Sequence, residues 1–416
     1  MARPRSRRSP WTRPRDRVAA VAVAVLAAAA AGVVWITSDS AATEQRTATE
    51  PAPSLEEPEA VPDSFTELWN ASSGATVEPV AVGGTAITAG DGVVVGRDAR
   101  TGEHRWSYRR DLALCSVIAV DGEVTAAYRK GEHCSEVTQL DGRTGNRTAQ
   151  RTGEADSEIR LLSDGSHLVA AGPTLLNAWS QDLVRTMEYG DVPAPAHPGR
   201  QPRPDCRYGS VAVAAGQVGV VERCPEDDAE RLTLVATTHQ VDDELRSEEP
   251  DVLFSELLDG ESAQVVALSA AEAGWTAVAV GEHQRLVVYT PDGERHAEYE
   301  LELPEGDLAG DPHGMAAATA RTEAGVYWFT GSGTIALTEH ELEPRWTLPG
   351  TLGTGTTFAG ELLVPIEGGL AVIDEETGEA TRTINVDRGA YAGPVRLAAT
   401  GPVLLEQRGD ELVALR

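Results

Sequence analysis

Four cysteines are the residues of this chain whose type and spacing most clearly predict chemistry. Cys115 and Cys134, and again Cys206 and Cys224, are separated by nearly equal intervals. In each pair a predicted β-hairpin lies between the two cysteines and returns the second to the end of the sheet where the first began. An even number of cysteines at matching spacing predicts two disulfides in an exported chain. The alternative is metal binding by thiolates, but no Cys-x-x-Cys spacing supports it.

Histidines and clustered carboxylates are the other candidate ligands. The nine histidines stand singly, with no pair at i, i+2 or i, i+4, so we expect no metal site built on them. Acidic clusters occur at residues 226–228, 242–244 and 248–251. Such carboxylates can hold a structural calcium ion, but they lack the ligand order of an EF-hand. A solvated acidic rim is the other interpretation.

One turn is unusual in composition: residues 310–314, Gly-Asp-Pro-His-Gly. Its functional interpretation is a ligand loop at the mouth of a ring-shaped domain. The alternative is an ordinary turn, because these residue types favour turns in any case.

A short phrase recurs along the chain and predicts the elements that position these groups. Residues 98–106 read Asp-Ala-Arg-Thr-Gly-Glu-His-Arg-Trp, and partial copies follow at residues 141–145 and 374–378. A unit repeated about every 40 residues indicates a propeller or a solenoid. The repeat residues are Asp98, Thr101, Gly102, Trp106, Asp141, Thr144, Gly145, Asp374, Thr377 and Gly378.

Eight apolar strands occupy the same place in this repeat. They span residues 93–96, 137–140, 175–179, 232–236, 286–289, 334–337, 370–373 and 412–415. Seven of them are followed by a polar turn and an outer strand; the eighth is not, and residues 65–69 can supply its outer strand and close the ring. We therefore predict an all-β, eight-bladed propeller of four-stranded blades over residues 65–416. Uneven spacing around residues 190–260 leaves seven blades as an alternative.

Three tryptophans, Trp69, Trp106 and Trp346, fall on predicted outer strands. We expect them to pack between neighbouring blades; the alternative is that they stack on a ligand.

The phrase at 98–106 resembles the repeat of pyrroloquinoline quinone (PQQ)-type β-propellers, whose common form is Asp-Ala-x-Thr-Gly-x-x-x-Trp. The resemblance implies the propeller fold over residues 65–416. It does not choose an activity, since that family includes dehydrogenases, envelope-assembly scaffolds and sensor domains. Quinoprotein enzymes of the family have two adjacent cysteines and a Glu, Asn and Asp cluster around calcium. Neither can be assigned in this sequence, so we expect no PQQ, no other cofactor and no catalysis.

The N-terminus predicts a membrane anchor. Residues 18–36 are nineteen uncharged, mostly apolar residues, preceded by seven arginines within residues 1–17. This pattern predicts a cytoplasmic basic tail (1–17) and one transmembrane helix (18–36), with the rest exported. A cleavable signal peptide is the alternative. Residues 37–64, rich in Pro, Glu, Ser and Thr, predict a disordered stalk.

The negative net charge of the chain excludes nucleic acid as a partner. The formal net charge is −30, and the arginine-rich tail makes the exported part still more negative. Such a surface repels nucleic acid. One lysine against 34 arginines indicates a GC-rich, actinobacterial genome. Together these features predict a non-enzymatic extracytoplasmic scaffold, anchored in the cell membrane, that binds envelope or membrane proteins. A sensor of a glycan or small molecule and a degenerate quinoprotein-like enzyme are the alternatives.

Overall fold

An N-terminal helix precedes a β-propeller. A computed structural model describes residues 14–36, 41–193, 201–238, 249–260, 262–270 and 274–416. Helix α1 (Pro14–Ile36) is long and apolar enough to cross a membrane, and none of its apolar window is buried in the protein. These properties fit a single-pass anchor and also a signal sequence. Most of the predicted basic tail, residues 1–13, lies outside the described residues.

Two strands near the N-terminus, β1 (Glu44–Arg46) and β2 (Glu67–Ser72), precede the first blade. The strands of blades 1 to 4 are β3 (Val80–Val82), β4 (Thr85–Gly90), β5 (Val93–Asp98), β6 (His104–Arg109), β7 (Leu114–Val120), β8 (Glu123–Lys130), β9 (His133–Asp141), β10 (Arg147–Thr152), β11 (Arg160–Ser163), β12 (His167–Ala171), β13 (Leu175–Ser180), β14 (Arg185–Gly190), β15 (Arg207–Ala214), β16 (Gln217–Arg223), β17 (Arg231–Ala236) and β18 (Val252–Leu257).

The second half of the ring continues the same pattern. The strands of blades 5 to 8 are β19 (Ala263–Leu268), β20 (Thr276–Val280), β21 (Arg285–Tyr289), β22 (Arg295–Glu300), β23 (Ala318–Thr322), β24 (Gly325–Phe329), β25 (Gly333–Leu337), β26 (Pro344–Pro349), β27 (Thr356–Phe358), β28 (Glu361–Ile366), β29 (Gly369–Ile373), β30 (Ala380–Asn385), β31 (Val395–Thr400), β32 (Val403–Arg408) and β33 (Glu411–Leu415). A short 3₁₀ turn, His313–Met315, lies between blades 5 and 6.

The two ends of the ring share one blade, as predicted. Strand β2 pairs antiparallel with β33, with Glu67 opposite Leu415 and Ser72 opposite Glu411, and so becomes the outer strand of blade 8. The described strands form eight sheets, which confirms the eight-bladed fold and excludes seven blades. Each of the eight apolar strands predicted from the repeat lies in the third strand of its blade.

Apolar packing between blades holds the ring together. The buried apolar residues form eight clusters, each between two adjacent blades, including the pair of blades 8 and 1. Both surfaces of each blade are thus covered by neighbours. This explains why central strands such as β21 and β29 read as nearly continuous apolar runs.

The two faces of the disc differ. Because strands alternate in direction, the turns from first to second strand and from third to fourth strand share one face, which we call the turn face. The turns from second to third strand and the connections between blades share the opposite face, the loop face.

Residues 41–64 are not the disordered stalk predicted from their composition. Strand β1 pairs with β6 as a fifth strand of blade 1, and Ala52 and Val61 are buried. The amides of Ala48 and Ala52 donate to the carbonyls of Thr144 and Arg143, at 2.8 and 3.2 Å. Residues 37–40, which begin the predicted stalk, lie outside the described residues. We call residues 44–64 the strap, because they run across the turn face.

Side chains extend these strap contacts to two further blades. The Arg382 guanidinium of blade 7 donates to the Val61 carbonyl at 2.8 Å, and Val61 packs in the cluster between blades 7 and 8. Leu55 packs in the cluster between blades 8 and 1. A few spaced apolar side chains and backbone hydrogen bonds therefore order a segment whose composition alone predicts disorder.

Buried ion pairs fix three of the connections on the loop face. In each, an arginine from the connection enters the following blade and contacts a buried glutamate. The pairs are Arg110 with Glu136 at 3.2 Å, Arg203 with Glu222 at 3.0 Å and Arg388 with Glu406 at 2.8 Å. Breaking a buried ion pair is strongly destabilising, so these contacts hold the connections firmly on the blades.

Candidate binding site at the mouth of the central channel

The innermost strands enclose a channel along the axis of the ring. The first strands of successive blades contact one another in order, and β3 contacts β31 to complete the circle. The channel has a volume of about 500 Å³ and is lined mainly by Ala and Val side chains. Among the described residues, the charged side chains in this lining are Glu78, Arg160 and Arg321.

At the loop face the channel opens into a wider cavity of about 590 Å³, which we call the funnel. Apolar side chains form much of its wall, among them Val77, Ile159, Pro173 and Met315. Its charged lining residues are Arg129, Glu158, Arg160, Arg207, Arg223 and Asp311. Among the described residues, four cations against two anions in this lining contrast with the formal charge of −30 for the whole chain.

At the narrow end of the funnel, where it meets the channel, Arg160 shares the Glu78 carboxylate with Arg396 of β31. Glu78 lies 2.8 Å from the Arg160 guanidinium and 3.6 Å from that of Arg396. Burial lowers the pKa of Arg396; Glu78 opposes this shift and the nearby Arg160 adds to it. The group of three carries one uncompensated positive charge. The Nη1 atom of Arg160 is buried and has no hydrogen-bond partner in the described part of the chain, and a Cβ on Gly314 would lie 3.0 Å from it.

The turn at residues 310–314 lies at this mouth and forms part of the funnel wall. Both carboxylate oxygens of Asp311 accept hydrogen bonds from Arg223, at 2.6 and 2.8 Å. The Asp311 hydrogen bonds are the main cause that raises the pKa of Arg223; burial opposes them and Glu230 adds to them. The Gly310 carbonyl accepts from Gln264 at 2.7 Å. The structure therefore places this turn where the ligand-loop interpretation requires it.

Both predicted disulfides are present, and both lie on the loop face. Cys115 is bonded to Cys134 and Cys206 to Cys224, which accounts for all four cysteines. Cys115 itself lines the funnel. Arg207 and Arg223 each adjoin a cysteine of the second bridge and are paired across β15 and β16. The bridges thus fix the positions of funnel residues.

The repeat residues form turns on the turn face, on the opposite side of the disc from the funnel. In each copy an aspartate side chain accepts hydrogen bonds from amides two and three residues later. Asp141, for example, accepts from Arg143 at 3.1 Å and from Thr144 at 2.7 Å. Asp98 and Asp374 do the same. The closing glycines, Gly102, Gly145 and Gly378, have φ values of 72°, 73° and 75°. These residues build turns.

The three tryptophans pack between blades, as predicted. Their indole nitrogens donate to carbonyls in the turn of the next blade: Trp69 to Ala99 at 2.9 Å, Trp106 to Gly142 at 3.0 Å and Trp346 to Glu375 at 3.0 Å. A ligand-stacking role therefore finds no support in their surroundings.

The acidic clusters are only partly described. Asp227 is held by Arg231, at 2.8 Å, and by Arg203. The hydrogen bond from Arg231 is the main cause that lowers the Asp227 pKa to about 2; burial opposes it and Arg203 adds to it. Residues 242–244 and 248 lie outside the described part of the chain. A structural calcium ion at these clusters remains a hypothesis.

Two side-chain groups within the described residues have the spacing of metal ligands. One joins Cys206 and Cys224 to Glu222, but the disulfide leaves no thiolate to bind a metal. The other brings together His296, Glu341 and Glu343 near the turn face. Sequence spacing did not predict this group, because its members come from adjacent blades. The Tyr299 hydroxyl already donates to Glu343 at 2.8 Å.

Comparisons with known proteins identify the fold and nothing finer. No protein-family model matches the chain, and no curated protein matches it. Among solved structures, the computationally designed Ika8 protein has a TM-score of 0.53 and 13% identity, over 88% of this chain and 99% of Ika8. Sqt1 of Saccharomyces cerevisiae has a TM-score of 0.51 and 11% identity, over 87% of this chain and 98% of Sqt1.

A third similar structure is the dihydro-heme d1 dehydrogenase NirN in complex with DHE. Its TM-score is 0.50 at 16% identity, over 88% of this chain and 73% of NirN. At such identities the likeness supports the propeller fold alone. A designed protein and a dehydrogenase share this fold, so it does not select an activity.

Proposed function

We propose that this protein is a non-enzymatic binding platform, held at the cell membrane by α1, whose propeller lies outside the membrane and binds an envelope or membrane protein through its loop face. The observation that carries this proposal is the difference between the two faces. The strap crosses the turn face, whereas the loop face bears the funnel, both disulfides and the longer connections between blades.

Three features support the compartment and the mode of attachment. Helix α1 follows an arginine-rich segment, which favours a cytoplasmic N-terminus. Two disulfides fit an oxidising compartment. The ordered strap limits the free chain between helix and propeller, so the disc would be held near the membrane. We also propose that the chain belongs to the PQQ-like propellers without their cofactor, since its repeat turns follow their pattern and it has no adjacent cysteine pair.

Affinity capture from native membranes tests whether the loop face binds a partner protein. The full chain carries a tag after Arg416, whose amide pairs with Thr66 on the turn face, so the tag leaves the loop face open. After crosslinking and affinity capture, we expect a reproducible envelope partner. Replacement of residues 310–314 should abolish its recovery, and replacement of the turn at Asp121 and Gly122, on the opposite face, should not. Equal recovery with both variants would overturn the assignment of the loop face.

A second candidate, sensing of a small ligand, is favoured by one observation, the funnel itself. Its volume lies within the range of small-molecule sites, about 300–1,000 Å³. In this case the purified protein would bind a ligand without any partner protein.

A further inference from the structure

We propose that the funnel binds a compact carboxylate group, which Arg129 and Arg207 attract at the rim and which the charge of Arg160 and Arg396 stabilises at the narrow end. This inference rests on the proposed loop-face function and names the chemistry that the face recognises.

The two arginines at the rim of the funnel have no acidic partner among the described residues. Within the part of the chain that the structure describes, Arg129 and Arg207 are exposed and make no ion pair. Asp311 and Glu230 both engage Arg223. Glu158, the other acidic lining residue, forms no ion pair with Arg129 or Arg207 among the described contacts. Arginine forks match carboxylates with two parallel hydrogen bonds. The rim therefore offers two free guanidinium groups.

The second argument is the charge at the narrow end. Glu78 contacts both Arg160 and Arg396, which leaves one positive charge where the funnel meets the channel. The Arg160 side chain is only 10% exposed, and no described residue is a hydrogen-bond partner of its Nη1 atom. A buried guanidinium nitrogen without a partner is costly. An anion in the funnel would compensate this charge.

The third argument concerns the size of the ligand. The strongly acidic exterior repels extended polyanions, whereas an apolar cavity lined by cations concentrates the field on a small anion. The 590 Å³ volume fits a compact group. The disulfide that adjoins Arg207 and Arg223 holds this part of the rim in place before binding, which reduces the entropy lost on association.

The same carboxylate could come from a free organic acid or from the C-terminus of a partner protein. Full-length protein in nanodiscs is titrated by calorimetry with succinate and with the pentapeptide Ala-Gly-Ala-Asp-Glu. Both peptides are acetylated at the N-terminus, and the neutral comparison peptide is Ala-Gly-Ala-Asn-Gln with an amidated C-terminus. We expect at least one carboxylate probe to bind with a Kd below about 1 mM, and the neutral peptide not to bind.

A matched pair of double variants tests the residues. Arg129→Gln with Arg207→Gln should weaken binding by roughly tenfold or more, since both charges act directly on the ligand. Arg147→Gln with Arg345→Gln removes the same net charge from exposed outer strands and should leave the Kd within about twofold, because those charges are distant and screened. Absence of carboxylate binding, or an equal loss in both pairs, would overturn the inference.

The results distinguish the two possible sources of the carboxylate. They also test the binding-platform proposal and the carboxylate proposal separately. If succinate displaces the peptide, the funnel accepts a free organic acid; if only the peptide binds, the carboxylate belongs to a protein chain. A partner captured through the loop face by a protein that binds no carboxylate would refute this inference alone. Carboxylate binding by a protein that captures no membrane partner would refute only the proposal of a protein-binding platform.

Discussion

The indole nitrogen of Trp106 in blade 1 donates a hydrogen bond of 3.0 Å to the carbonyl of Gly142 in blade 2. The Trp106 ring lies against Gly145 of the same turn, so close that a Cβ there would be 2.6 Å from the ring. Trp69 with Gly102 and Trp346 with Gly378 repeat this contact at two other blade junctions. The repeat phrase thus joins neighbouring blades: the aspartate and glycine shape a turn, and the preceding blade supplies the tryptophan that packs on it.

Substitution Gly145→Ala should destabilise the propeller. The added Cβ meets the Trp106 ring, and the φ of 73° disfavours a side chain. We expect the free energy of unfolding to fall by roughly 2–4 kcal/mol, measured by urea denaturation. Gly131→Ala is the control, because its φ is 65° and nothing lies within 4 Å of its Cβ position. It should lose only about 1 kcal/mol. Equal losses would show that the ring contact does not contribute.

Substitution Val61→Asp should detach the strap. Val61 is 5% exposed in the cluster between blades 7 and 8, so a carboxylate there is unfavourable. We expect a loss of roughly 2–4 kcal/mol in unfolding free energy and faster amide exchange across residues 44–64. Ala60→Asp places the same charge on the exposed neighbour and should change neither quantity. If the two variants behave alike, this segment is a free stalk.

Removal of one disulfide should weaken the loop face. Cys206→Ala with Cys224→Ala opens a loop with a sequence separation of 18, and we expect a loss of about 3 kcal/mol in unfolding free energy by the loop-entropy estimate. Mass spectrometry after alkylation of the urea-unfolded wild-type protein should find no labelled cysteine until reductant is added. Labelling before reduction would contradict the assigned bridges.

The Asp227 ion pairs should make stability depend on acid pH. The folded-state pKa of Asp227, about 2, lies below the ordinary value of 3.8. The contribution of this carboxylate to stability is therefore complete above the ordinary value and is lost as the pH falls towards about 2. The free energy of unfolding of the wild type should exceed that of Asp227→Asn by a constant amount at neutral pH. This difference should disappear as the pH falls. Asp228→Asn changes the exposed neighbour, and its free energy of unfolding should equal that of the wild type. Urea denaturation at a series of pH values measures both differences. If the difference between wild type and Asp227→Asn stays constant down to low pH, it does not arise from the ion pairs of the Asp227 carboxylate.

The sequence predicts the propeller well because the repeat encodes local structure. Third strands such as β21 and β29 are buried on both sides, so they read as apolar runs. Gly102 and Gly145 mark turns that need positive φ. The cysteine spacing predicts both bridges because the hairpins between the cysteines are local. The strap escapes prediction, since it is ordered by contacts with blades far along the chain.

The funnel could not be predicted from sequence for a related reason. Glu78, Arg160 and Arg396 are widely separated in the chain, and only closure of the ring brings them together. One signal was present: Arg160 and Arg207 each open an innermost strand at the loop face. Recognising it requires the blade register. The turn at 310–314 could be singled out by composition, but its contact with Arg223 could not.

Site-specific photocrosslinking tests the central claim, that the loop face is the binding face. Benzoylphenylalanine replaces the exposed residues Glu132 and His313 on the loop face or Arg100 and Glu376 on the turn face, in full-length protein in native membranes. The account predicts that both loop-face positions yield an adduct with the same envelope or membrane protein, whereas the turn-face positions yield none with it. Adducts with that protein from Arg100 and Glu376 but not from Glu132 or His313 would contradict the account.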